Sequence, residues 1–169
     1  KPVHMTEGGI ETAEEMWNQL DEKGWEGLVV YLGSLMYKVK PITSYDMVVV
    51  AIYKSPKYVD RMGAVLCAFM DKEGRFRLNG AVGGGFTDQE KVWIWDWAHR
   101  HKVAEDDDRI WVDPYADPII VEVEAAEVNM QNRPKLDFKN DKWVTIENDL
   151  GGLLRFPHLK RIRDDKEPT

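Results

Sequence analysis

Apolar positions recur along this chain with two different periods. From residue 12, Ala13, Met16, Trp17 and Leu20 follow the i, i+3, i+4, i+7 spacing of one helical face, with Thr12 and Glu15 spaced as a capping box and Gly24 as the stop. The stretch 25–40 then reads as two apolar-rich runs divided by Gly33-Ser34, a pair suited to a two-residue hairpin turn with glycine first, and Pro41 ends the second run. Beyond Pro41 come short β-branched runs at 45–53, 62–70, 75–83, 118–128 and 142–146, each bounded by Gly, Pro, Asp or Lys. Between the third and fourth of these, 88–102 returns to a helical pattern, with Val92, Trp95 and His99 on one face. Five short strands with a helix between the third and fourth predict a mainly β protein, a five-stranded barrel of the oligonucleotide-binding (OB) arrangement, preceded by a helix and a β-hairpin. The change of character puts the candidate boundary at 41–45, with 1–41 before it and the barrel over 44–169.

Composition bounds this picture. The chain has 169 residues, enough for one well-buried domain or one domain and part of a second. Its single cysteine, Cys67, excludes an internal disulfide framework and a multi-cysteine zinc site, and its setting in AVLCAFM predicts a buried core thiol. With no run of ~18 apolar residues and no secretory signal, we expect a soluble, cytoplasmic protein in a reducing setting with no membrane partner. A first residue other than methionine predicts a trimmed product or a fragment.

A formal net charge of −7 argues against a surface that grips nucleic acid everywhere, because such binding neutralises phosphates with Lys and Arg. Any nucleic-acid contact must be local, and two windows are locally basic. One covers 38–61. The other is RFPHLKRIRDDK at 155–166, where Arg155, Lys160, Arg161, Arg163 and Lys166 face only Asp164 and Asp165. The opposite window, AEDDDR at 104–109, reads as a solvated loop, and no metal-ligand set is predicted.

Candidate chemistry is modest on these residues alone. His99 and His101 point about 200° apart on a helix and read as amphipathic or surface histidines. Trp93, Trp95 and Trp97 spread around the same helix, so at least one must be exposed or against a partner. Gly83-Gly84-Gly85 lacks the G-x-G-x-x-G spacing and a following Lys-Ser/Thr; it predicts close backbone approach, to packed strands or to a ligand. Lys38 and Lys40 share one strand face because strand side chains repeat every two residues. A tight turn sets Gly27 across from Lys40 and Glu26 on the other face, and the KVK run reads either as a ligand face or as a charge-defended edge.

The ordered segments EGLVV, YKVKP, DMVVVAIY, GGGFTD, WVDPYADPIIVEVEAAEV and GLLRFPHLKRIRDDK resemble the C-terminal part of ATP-dependent DNA ligases, especially archaeal-type ones, over about 6–166. The resemblance implies that 1–41 is the end of the nucleotidyltransferase (adenylation) domain and 44–169 an OB domain. It implies nucleotide-binding roles for Glu26, Lys38 and Lys40, and a pyrophosphate-orienting catalytic role for Arg163, Asp165 and Lys166. It further implies DNA contacts from Phe86, in the place of the family's G-x-G-F phenylalanine, and from Arg155 and Arg161. ATP (as the AMP donor) and Mg2+ are the implied cofactors of the complete enzyme. The implied partners are nicked double-stranded DNA, an N-terminal adenylation half in the same or a separate chain, and a sliding clamp. Concentrated Arg and Lys suit that role, since they stabilise a pyrophosphate leaving group most as its negative charge grows.

Departures temper the resemblance. No lysine of this chain opens a K-x-D-G motif, so it cannot form the lysyl-adenylate by the family's route. The E-G motif ends in Tyr31 where a basic residue is usual, and the short 26–38 segment is more like an RNA ligase. Two alternatives therefore stand beside a ligase C-terminal portion: a stand-alone OB module binding nicked or single-stranded nucleic acid, and an RNA ligase or capping-type fragment.

Overall fold

A computed structural model describes residues 7–24, 27–39 and 43–163. The chain divides into two compact units, Lys1–Ile42 and Thr43–Thr169.

In the first unit, helix α1 (Ile10–Asn18) is followed by the single turn α2 (Leu20–Lys23), which ends on Gly24 in the left-handed region. The expected capping box is a correction: the helix starts three residues earlier, capped by Gly9 with no side-chain hydrogen bond, and Thr12 sits inside it. The hairpin of β1 (Leu28–Leu32) and β2 (Leu35–Val39) forms as predicted, with Leu32 paired to Leu35 across Gly33-Ser34. Gly33 has φ +63, which glycine adopts without penalty.

The second unit is a curled antiparallel sheet, a half-barrel of the OB class. Its strands are β3 (Thr43–Lys54), β4 (Met62–Met70) and β5 (Phe76–Val82), then, after helix α3 (Asp88–Arg100), β6 (Lys102–Glu105), β7 (Arg109–Val112), β8 (Ile120–Ala125), β9 (Glu127–Lys139), β10 (Lys142–Arg155) and β11 (His158–Arg163). One edge of β3 pairs with β4; the other is shared by β8, along Thr43 to Val48, and β7, along Ala51 to Tyr53. β11 pairs with β8, and the open side toward β5 is crossed where the Leu159 N–H donates to the Gly84 carbonyl at 2.9 Å.

Both faces of β3 are buried, which is why its sequence is a continuous apolar run. Met47 and Val49 face the barrel interior with Val65, Cys67, Val121 and Val123, while Val48 and Val50 face a second layer with Leu66, Phe76 and Leu136. A register shift between Val49 and Ala51 lets two successive residues, Val50 and Ala51, face the second layer before Ile52 returns to the interior. α3 covers the interior with Ile94, Trp97 and Ala98. Its start is set by a capping box between Thr87 and Glu90, and the indole of Trp97 donates to the Asp117 carbonyl at 2.8 Å. Of the three alternating tryptophans, Trp97 is buried, Trp95 half-buried and Trp93 exposed. Cys67 is buried, and desolvation pushes its thiol up to about 12.

Several strand assignments differ from expectation, β6 and β7 being additional to the expected five. The run at 142–146 belongs to β10, half of a long hairpin whose Asn140-Asp141 turn has both residues at positive φ. The fifth barrel strand is β11, inside the segment read above as a cationic terminus. The run at 118–128 also splits, β8 ending at Ala125 and β9 starting at Glu127. Trp143 of the hairpin packs on Phe76 and Phe138, each at 5.1 Å between ring centroids, closing the second layer. Buried Asn79 ties β10 to β5, its Nδ2 donating to the Gly152 carbonyl at 2.7 Å and its Oδ1 accepting from the Leu154 N–H at 3.2 Å.

Candidate functional site

β8 alternates V-E-V-E, so Val121 and Val123 enter the core while Glu122 and Glu124 face outward. β3 lays Ser44 opposite Glu124 and Asp46 opposite Glu122; β11 lays Arg161 opposite Glu122 and Arg163 opposite Ile120. A bulge between Leu159 and Arg161 inserts Lys160 beside them. Three cations thus meet three carboxylates on one outer face.

Glu122 is the hub. Its Oε2 accepts from Arg161 Nε at 2.5 Å and its Oε1 from Ser44 Oγ at 3.0 Å, with Lys160 Nζ 3.6 Å from Oε1 and Arg163 Nη1 3.6 Å from Oε2. The hydrogen bond from Arg161, then that from Ser44, holds the Glu122 carboxyl down at about 2. Arg163 Nη1 also lies 3.4 Å from Asp46 Oδ1. Exposure separates the cations. The Arg163 side chain is 12% exposed, enclosed between two carboxylates, whereas Arg161 is 58% and Lys160 48% exposed. Arg161 therefore commits Nε to the fold and keeps terminal N–H donors for an external oxyanion.

A second cluster lies where the Gly83–Gly85 stretch meets the start of β11. A Cβ on Gly85 (φ +98) would lie 2.5 Å from the Leu159 carbonyl oxygen, and one on Gly84 3.1 Å from His158 Nδ1. At Gly84 and Gly85 the glycines admit the packed strand, the first of the two approaches that the sequence predicted. Phe86, next in the chain, is half-buried against the barrel core. Arg155 is exposed, its guanidinium 5.1 Å from the ring centroid of Phe156.

The predicted site residues are thus distributed unevenly. Arg161 and Arg163 share the carboxylate ladder, Arg155 stands at the β10–β11 corner, and Phe86 belongs to the core margin. Lys38 is exposed on β2 opposite Val29. Glu26, Lys40, Asp165 and Lys166 lie outside the described residues. The sequence reading missed Ser44, Asp46 and Glu122; the available signals were the acids alternating with valines in IVEVEA of β8 and the single acid, Asp46, ahead of the apolar run of β3. The 104–109 window, read above as a loop, runs from the end of β6 through a turn at 106–108 into β7: Asp106 Oδ1 accepts from the backbone N–H groups of Asp108 and Arg109, and the pKa of the Asp106 carboxyl is lowered accordingly. Among the described residues no helix is long and apolar enough to cross a membrane.

A family model described as the ATP dependent DNA ligase C terminal region matches residues 59–166. DNA ligase 1 of Methanosarcina mazei is 31% identical, with the match covering 94% of this chain and 31% of that protein. The DNA ligase of Sulfophobococcus zilligii is 32% identical over 78% of this chain and 22% of its own length. The chain thus spans about a third or less of the length of these relatives. Among solved structures, the ligase domain of M. tuberculosis LigD superposes with a TM-score of 0.56 at 16% identity, covering 92% of this chain and 50% of that one. A structure described as Pmar-Lig_PreS3 gives 0.54 at 20% identity, covering 90% and 30%. At such identities these two superpositions speak for the fold, and the family model speaks for descent. The chain belongs to the ATP-dependent DNA ligase family, of which it is a C-terminal region.

Proposed function

We propose that this chain serves DNA nick sealing by binding nicked duplex and by orienting the pyrophosphate leaving group of ATP, together with an N-terminal half that carries the K-x-D-G lysine. The carrying observation is the row of Lys160, Arg161 and Arg163, three cations on six residues of an otherwise acidic chain, held in register by Glu122 and Asp46. When bound in the complete enzyme, ATP supplies the AMP to be transferred. The row fits a polyphosphate: donors already fixed by carboxylates need little reorganisation as negative charge grows. On this reading Arg161, expected from the resemblance to contact DNA, and Lys160 face the anion with their exposed donors, Arg163, enclosed by Glu122 and Asp46, braces Arg161 through Glu122, and Asp165 and Lys166 keep the pyrophosphate-orienting role that the resemblance implies. Among the described residues no three His, Cys, Asp or Glu side chains gather as metal ligands, so no step here is assigned to magnesium.

The same reading makes the first unit the closing piece of the nucleotidyltransferase domain, with Glu26, Lys38 and Lys40 near the nucleotide's α-phosphate. Its support is that Val29, Tyr31, Leu32, Leu35, Met36 and Tyr37 are each 49% or more exposed, an apolar hairpin that asks for cover. The test mixes this chain with a separately prepared ligase adenylation domain and follows labelled AMP onto the nick. Sealing requires both parts, and Arg161→Ala slows pyrophosphate release by about a hundredfold. Release unchanged in both Arg161→Ala and Lys166→Ala overturns the assignment.

A further inference from the structure

Three tryptophans alternating on one helix cannot all be buried, and the fold leaves Trp93 of α3 outside. Trp97 is buried and hydrogen-bonded through its indole, and Trp95 packs on His99 with 4.5 Å between ring centroids. Trp93 is 45% exposed; among the described residues its ring meets no other ring and its indole N–H finds no acceptor. At about 100° per residue, α3 sets Trp93 beside Gln89, Val92 and Asp96, on the side away from Ile94 and Ala98. Together with Asp88 these side chains line a shallow, mainly apolar hollow. Both its ends are acidic. Asp96 is exposed and has no ion-pair partner among the described residues, and the Asp88 side chain is 80% exposed, with Arg61 Nη1 3.4 Å away.

We infer that this face of α3 docks an arginine-bearing segment of a protein partner, a guanidinium lying on the Trp93 ring and sharing its N–H groups with Asp88 or Asp96. An indole face attracts a guanidinium, and the planar fork of donors suits a carboxylate beside the ring. The indole keeps its own donor for a carbonyl of the incoming segment. Asp88 and Asp96 are eight positions apart on α3, about 12 Å along a helix, a distance that about four residues of extended chain span. Charge selects the occupant. A nucleic acid would press phosphates against these carboxylates, and a second copy of this chain, itself at −7, would set the same carboxylates against each other. The face is thus the chemical reverse of the β11 cations, and the inference is independent of the nicked-DNA reading.

The test titrates a short peptide, with two arginines flanking an Ala-Val-Ala spacer, into the isotope-labelled whole chain at low salt. The peptide should move the indole NMR signal of Trp93, identified as the one missing from Trp93→Phe, and leave that of buried Trp97 in place. Trp93→Ala should weaken binding about tenfold, and Asp88→Asn and Asp96→Asn each about threefold. Trp93→Phe should keep most of the affinity, because a phenyl ring also presents a face to the cation. Asp96→Lys should reverse the preference and favour a peptide with glutamates in place of the arginines, a gain that loss of folding could not produce. A parent chain that takes the glutamate peptide as readily as the arginine one, or that self-associates through Trp93 in place of binding peptide, would overturn the inference. So would a nicked duplex that moves the Trp93 signal where the arginine peptide does not.

Discussion

The two units of this chain treat their apolar residues in opposite ways. In Thr43–Thr169 the large side chains are inside: Phe76, Trp97, Ile52, Met62, Ile94 and Ile110 are all below 2% exposure. In Lys1–Ile42, by contrast, Leu20 is the sole buried residue among those described, and β2 is exposed along its whole length. The β1–β2 hairpin is as apolar as a core strand, yet nothing described in its own unit is large enough to bury it. One unit satisfies the burial that sustains a fold by itself; the other is composed as though another part of a larger protein completes it.

This contrast can be broken at several strengths. The largest effect is expected at Trp97, fully buried and hydrogen-bonded through its indole. Trp97→Ala should lower the stability of the barrel by about 3–5 kcal/mol in denaturant titrations, and a smaller loss would mean that its interior is less tightly packed than described. Next comes the carboxylate ladder, whose contribution should be visible in pH. Glu122 ionises at about 2 in the folded chain against an ordinary 4.5, so its stabilisation is complete above the ordinary value and disappears as pH falls through about 2. Stability measured between these limits should decline on acidification, and the decline should flatten in Glu122→Gln. The smallest effect belongs to the hairpin: Leu35→Ser should change the unfolding free energy of the barrel by less than about 0.5 kcal/mol. A hairpin substitution as costly as Trp97→Ala would erase the distinction between the units.

Where the hydrophobic period was clean, the fold was legible. α3, β4 and β5 lie within two residues of their expected places because their buried positions repeat at 3.6 or 2. β11 was hidden by its own chemistry. Its outward positions are Lys and Arg, its inward ones only Leu159 and Ile162, and the bulge at Lys160 breaks the alternation between them. A strand paired to an acidic neighbour therefore read as a charged terminus. β6 and β7 escaped notice because each has four residues and the acidic turn between them drew the reading toward a loop. The site was half legible: the cations were found, but their partners lie 39 and 117 residues away in sequence, and only the sheet register brings Glu122 to Arg161 and Asp46 to Arg163. The positive φ of Phe156 could not have been foreseen, since the following proline argues for extended backbone.

Cys67 has a practical consequence. A lone sulfur sealed in the barrel and reluctant to ionise is silent toward maleimides and spin-label reagents. Any new cysteine on the surface would then be the one reactive handle on an otherwise unaltered background. A probe placed on the hairpin, or at the corner between β10 and β11, would then report on the surroundings of that one position alone.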